Sequence, residues 1–233
     1  NKYNCYEEES NMNSIYESFL NEYQFFIIII IVFVCGAIVS EEFNKGTIKL
    51  LLIRPYKRKE ILLSKFITCL IMVLFAYLAM FVLQSIVGYI MFGGASLSIP
   101  VVNYDYSSGQ IITQNIFEYM GITYLAKLPI FVLLATLAFT LSTLFNSSAI
   151  AITISAIGSI ASSVINALVI NFDVKFMKYF VTLNWDFTDY LFGGSSSFKY
   201  TNLKFSVIIC IVYFLVMVIT SFIVFKHKNI KNI

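Results

Sequence analysis

The chain has 233 residues, of which 59% are hydrophobic and only 12% charged, with a formal net charge of +3. A soluble domain carries roughly 25% charged residues, so a globule in water is excluded, and with it a soluble enzyme; the mean hydropathy of +0.82 agrees. With 3 Pro and 10 Gly among so many apolar residues, the chain is neither disordered nor fibrous. Cys5, Cys35, Cys69 and Cys210 lie too far apart to suggest a disulfide framework or a metal pattern, and three of them fall in apolar runs.

In chain order, residues 1–22 are acidic, with five Glu and one Lys, and look nothing like a signal peptide. Uncharged stretches long enough to cross about 30 Å of hydrocarbon then predict five spans, at residues 23–40, 66–92, 122–144, 149–170 and 205–225. The third and fourth share one apolar run, divided by the polar turn Asn146-Ser147-Ser148. Spans in lipid must satisfy their own backbone groups, and the ten-residue alternation of a membrane barrel is absent. The predicted fold is therefore all-α: a single polytopic helical membrane domain.

Lys and Arg set the orientation. Ten lie in residues 41–65 and in the tail 226–233, against Lys2, Lys175, Lys178, Lys199 and Lys204 on the opposite side. The basic side is expected in the cytoplasm, the start of the chain outside and its end inside. An acidic head outside is most simply explained by a preceding span that this chain lacks; a five-span protein with a translocated head is the alternative.

Residues 41–65 are the one sizeable segment on the basic side. Gly46 permits a sharp turn and Thr47 a helix cap. Ile48, Leu51 and Leu52 share a face at helical spacing, and Pro55 ends the run. From physics alone, this is either a short amphipathic helix along the membrane or an ordinary positive-inside loop. The succession of acidic residues, Gly-Thr, apolar helix, Pro, Arg and Lys resembles the type-2 ABC exporter permeases, at Glu41 or Glu42, Gly46, Thr47, Leu51, Leu52, Pro55, Arg58 and Lys65. The resemblance implies spans two to six of a six-span permease in a bacterial plasma membrane. It makes this segment the coupling element that docks on a separate cytoplasmic ATPase, with ATP and Mg on that partner. It also implies a second permease copy, and short helices in residues 171–204 that dip into the membrane from outside.

The rest of the chain shows no catalytic constellation, no metal motif and no phosphate-binding loop. This chain is therefore expected to be a transport subunit and not an enzyme, with no cofactor of its own. Lys127 lies within a span; snorkelling to the interface is the simple reading, and contact with an anionic substrate group the alternative. Ala151, Ser155, Ser159, Ser163 and Ala167 recur at every fourth position, a spacing that lets helices approach closely, within one subunit or across a dimer. Residues 174–191 are helical in period and too polar to span, followed by Gly-Gly-Ser-Ser-Ser as a flexible return. The expected cargo is amphipathic: a peptide, an antibiotic or a lipid-like molecule. Runner-up classes are an ion-coupled secondary transporter, which lacks the mid-membrane carboxylates it would need, and a non-transporting immunity or scaffold protein.

Overall fold

A computed structural model describes residues 24–48, 56–92, 101–105, 108–172, 175–196 and 198–228. In order these form α1 (Gln24–Ala37), a short α2 (Ser40–Asn44), α3 (Arg58–Phe92), a hairpin of β1 (Val101–Asp105) and β2 (Gln110–Gln114), α4 (Ile116–Leu144) and α5 (Ser148–Phe172). Three 3-10 turns follow (Lys175–Tyr179, Val181–Leu183, Thr188–Gly193), then α6 (Leu203–His227). Four helices, α3 to α6, are long and apolar enough to cross a membrane. The protein is an all-α polytopic membrane protein. One end of the bundle carries α2, the start of α3 and the end of α6, and is rich in Lys and Arg; this is the basic end. The hairpin and the 3-10 turns lie at the opposite end.

Local chemistry starts and stops these helices. Asn115 Oδ1 accepts from Phe117 N at 3.0 Å to cap α4, and Asn202 Oδ1 accepts from Phe205 N at 2.9 Å to cap α6. Lys226 and His227 occupy the last turn of α6, where cations oppose the helix dipole. In α3, Glu60 of the first turn reaches back to accept from Lys57 N at 3.1 Å.

The order of packing follows from side-chain size. Helix α4 is the axle: 67% of its apolar window is buried, against 22%, 17% and 17% for α3, α5 and α6. Ala135 and Ala138 are fully buried and let α1 approach, while Phe131 and Phe139 fill the space beside them. Phe66 of α3 packs at 5.1 Å from Phe139 and 6.0 Å from Phe214 of α6. Buried polar groups are paired across helices. Tyr77 donates to Tyr124 O at 2.9 Å, Tyr124 donates to Gln84 Oε1, and Ser221 of α6 donates to Thr140 Oγ1 of α4 at 3.0 Å. The outward faces of α3, α5 and α6 are apolar and exposed, as with Phe75 at 67% and Ile157 at 60%, which suits lipid contact.

The elements depart from the sequence expectations in five places. The first apolar run breaks after Ala37: α1 has 14 residues, about 21 Å at 1.5 Å per residue, and residues 38–39 turn the chain into α2. Helix α3 begins at Arg58, two turns before the expected span, and α4 at Ile116, because Asn115 supplies a cap there. Residues 101–105 and 110–114 pair as antiparallel strands, Val101 opposite Gln114 and Asp105 opposite Gln110, where no strands were expected. Finally, of the stretch 174–191 whose period suggested a helix, the described residues 175–191 form 3-10 turns, because the side chains of Asn184 and Asp186 bond locally and compete with helix.

Candidate functional site

At the basic end, α2 and its turn are locked to three helices. Glu42 pairs with Lys65 of α3 at 2.6 Å, both half-buried, and Lys65 also donates to Ile38 O at 2.8 Å, where α1 ends. One ammonium thus ties α1, α2 and α3 together. Among the described residues Glu41 pairs with Lys45 alone, one turn away at 2.6 Å and well exposed. The broken ladder at residues 38–39 is repaired by α4: Ser142 Oγ accepts from Val39 N and Ser40 N at 3.1 and 3.0 Å. Gly46 has φ +70 with no atom near its missing Cβ, so backbone conformation and not crowding demands glycine there. Thr47 Oγ1 reaches Glu42 O at 3.5 Å, a long contact, and Ile48 is fully buried. Leu51, Leu52 and Pro55 lie outside the described residues.

Among the described residues Arg58 pairs with no acid. It donates to the carbonyls of Lys226 and Lys228 at 3.3 Å, taking up free acceptors at the end of α6. Lys228 in turn donates to Thr143 O at 2.6 Å, at the end of α4, and its ammonium sits 4.2 Å over the Phe43 ring of α2. Phe43 meets Phe225 of α6 edge to face at 6.2 Å. Burial pushes the Lys228 amine down to about 8. A small platform results, built from α2 and braced on α3, α4 and α6.

The small-residue stripe of α5 divides. At the basic end Gly36 of α1 brings its backbone against Ile152, where an added Cβ would meet the Ile152 side chain at 3.1 Å. Ala151 and Ser155 are fully buried at that level. Farther along, the helices part and a cavity of about 640 Å³ opens between Gln24, Phe25 and Ile28 of α1 and the outer half of α5. Ser159 and Ser163 belong to its wall, while Ala167 is exposed. The far wall comes from the turns after α5, with Trp185, Asp186 and Asp189.

Those turns are pinned by one amide. Asn184, fully buried, donates to Lys178 O and Phe180 O at 2.8 Å, and its Oδ1 accepts from Ser206 of α6 at 2.8 Å. Ser206 also meets Tyr190 Oη at 2.7 Å. Phe187 N donates to Ala126 O of α4 at 3.2 Å, close to Pro129, whose ring removes one N–H from that helix. Lys127, one residue on, does not snorkel: it is 4% exposed, with Asp186 and Asp189 as the acidic groups acting on it. It is not among the residues lining the cavity. The Gly-Ser return is held as well, since Thr201 donates to Ser196 Oγ at 2.7 Å. Neither the cavity nor the Asn184 pin was read from sequence; an isolated Asn in an aromatic stretch carries no signal of its partners.

A family model described as "Protein of unknown function (DUF2705)" matches residues 3–231. Two curated proteins of Bacillus subtilis (strain 168) are similar. An "Uncharacterized protein YhcI" is 33% identical over 86% of this chain, and an "Uncharacterized membrane protein YdbK" is 27% identical over 85%. The chain spans 64% of the first and 75% of the second. No solved structure matches.

Proposed function

This chain belongs to the DUF2705 family, and we propose that it is the membrane-spanning permease subunit of a type-2 ABC exporter. On this reading the basic end faces the cytoplasm of a bacterial cell and docks on a separate ATPase, which holds ATP and Mg. A second permease copy completes the path, and an amphipathic molecule leaves through the opposite end. The observation that carries the reading is the braced platform at the basic end. The segment that resembles a coupling element is tied by Lys65 to α1 and α3, and its neighbours Arg58 and Lys228 to α6 and α4. A push on α2 therefore reaches four helices at once. The cavity at the far end is where such a push would alter access to a substrate.

The test is reconstitution of the chain in liposomes with its candidate ATPase. Expected are stable co-purification, ATP hydrolysis and ATP-dependent movement of an amphipath. Cysteines at Lys57 and Gly109 check orientation: only the second is expected to react with an impermeant reagent on intact cells. Transport driven by a proton gradient without any ATPase would instead favour the ion-coupled reading. Insertion with no transport under either drive would favour a scaffold or immunity role.

A further inference from the structure

The cavity between α1 and α5 has a chemical bias, and it deepens the reading above by naming the substrate. Both charged residues in its wall, Asp186 and Asp189, are acidic, and a buried carbonyl oxygen beside them has no donor. The hydroxyls of Ser159, Ser162 and Ser163 donate back to Ala156 O, Ser159 O and Ile160 O at 2.8, 2.6 and 2.8 Å. With those protons engaged, each oxygen has lone pairs to offer. Asn166 uses its amide N–H on Thr182 O at 2.8 Å, and its own Oδ1 is buried with no partner, as is Thr182 Oγ1. The Asn166 carbonyl oxygen can only accept, so left without a donor it is costly and marks a place for a ligand that donates, while the Thr182 hydroxyl can serve either way. Asp186 and Asp189 bring two carboxylates to the same wall, while buried Lys127 behind them offsets one charge. The wall can also donate, through Gln24, Trp185 and the hydroxyls of Thr182 and Ser196, but these groups are neutral while both charged groups in the wall are carboxylates.

The remaining wall is apolar, with Phe25, Ile28, Ile160 and Ile170. The volume of about 640 Å³ suits a headgroup and part of a chain. We propose that this cavity binds the ammonium group of an amphipathic molecule, with the apolar part lying along α1 and α5. An anionic amphipath would meet the two carboxylates and bind more weakly.

Trp185 is the only tryptophan in the chain, so its fluorescence reports on this wall alone. The full chain in zwitterionic nanodiscs would be titrated with a nitroxide-labelled dodecyl-ammonium probe and, separately, with a dodecyl-phosphate probe of equal length. Saturable quenching by the cation, displaced by unlabelled dodecylamine and absent with the anion, is the expected result. Asp186→Asn and Asp189→Asn together should weaken the cation roughly tenfold, the scale of a lost bond to a charged group. Equal quenching by both probes in the wild type would overturn the proposal without requiring any variant to fold. So would unchanged cation affinity in a double variant whose elution profile matches the wild type. Displacement by lysophosphatidylethanolamine would place the amine on a lipid, and displacement only by a short lysine-bearing acyl-peptide would place it on a peptide; either supports the ammonium class. The measurement needs no ATPase. Failure of ATP-driven export with cation-selective quenching intact would sink the exporter reading alone, and the reverse outcome would sink this inference alone.

Discussion

The two ends of the bundle hold their loops by opposite chemistry. At the basic end three cationic side chains seize backbone carbonyls: Lys65 on Ile38, Arg58 on Lys226 and Lys228, and Lys228 on Thr143. At the opposite end a neutral amide, Asn184, does the corresponding work. Long cations can reach across helix ends: Arg58 does so while exposed, and Lys65 and Lys228 meet their desolvation with a carboxylate or a carbonyl and an aromatic ring. A fully buried anchor has no such relief and is best neutral and fully bonded. The comparison teaches that the basic end is tied by reach and charge, and the far end by shape and satisfied hydrogen bonds. The first should answer to charge changes, the second to volume and pairing.

The sharpest way to break the comparison is at Gly46. Gly46→Val forces a branched residue to φ +70, which should eject α2 from its turn and abolish co-purification of an ATPase while the spans stay inserted. Normal pull-down from that variant would deny the platform a docking role. Next in size is Asn184→Ala, which removes three hydrogen bonds at once, although Ser206 Oγ keeps Tyr190 Oη and Phe180 O keeps Leu183 N. Thermal unfolding in detergent should show a loss of about 2–4 kcal/mol, from three broken bonds at about 1 kcal/mol each. Sensitivity to salt in that loss would contradict the neutral-pin account.

Within the charged end, two neighbouring acids make an internal control. Glu42→Ala breaks the half-buried tie to Lys65 and should cost about 1–3 kcal/mol and uncouple ATP hydrolysis from transport. Glu41→Ala breaks only an exposed pair along one helix and should change stability by less than about 0.5 kcal/mol. Equal effects from the two would refute the bracing argument. The stripe on α5 offers a comparison of similar size. Ser155→Leu overfills a closed contact and should destabilise by about 1–3 kcal/mol, whereas Ser163→Leu should leave stability intact and narrow the cavity.

The smallest effect concerns Lys228. Its amine is held at about 8, below the ordinary 10.5, so between those values the unfolded chain binds more protons than the folded one. Stability should therefore rise modestly as pH goes from 8 to 10 and be indifferent to this group below 8. The rise should vanish in Lys228→Met; a rise of equal slope in the variant would assign it to other groups.

Much of this molecule was legible in order of residues alone. Lipid demands uninterrupted apolar length, and that demand is one-dimensional, so the spans behind α3 to α6 stood out as apolar runs with Lys127 the single charge among them. The coupling candidates were also visible, because Gly46 before Thr47 and the basic cluster after it form a local pattern. Pairing was a different matter. Glu42 and Arg58 both stood out as charged, yet only the fold chose Lys65 for the first and the end of α6 for the second. Ser142 and Asn184 carried no signal at all, since a hydroxyl or amide in an apolar stretch announces a need for partners without naming them. The stripe from Ala151 to Ala167 shows the division most clearly. Its four-residue period follows from sequence, but whether each position meets a helix or a cavity depends on the angle between α1 and α5. That angle is set where Gly36 meets Ile152, contacts more than a hundred residues apart, and no local pattern encodes it.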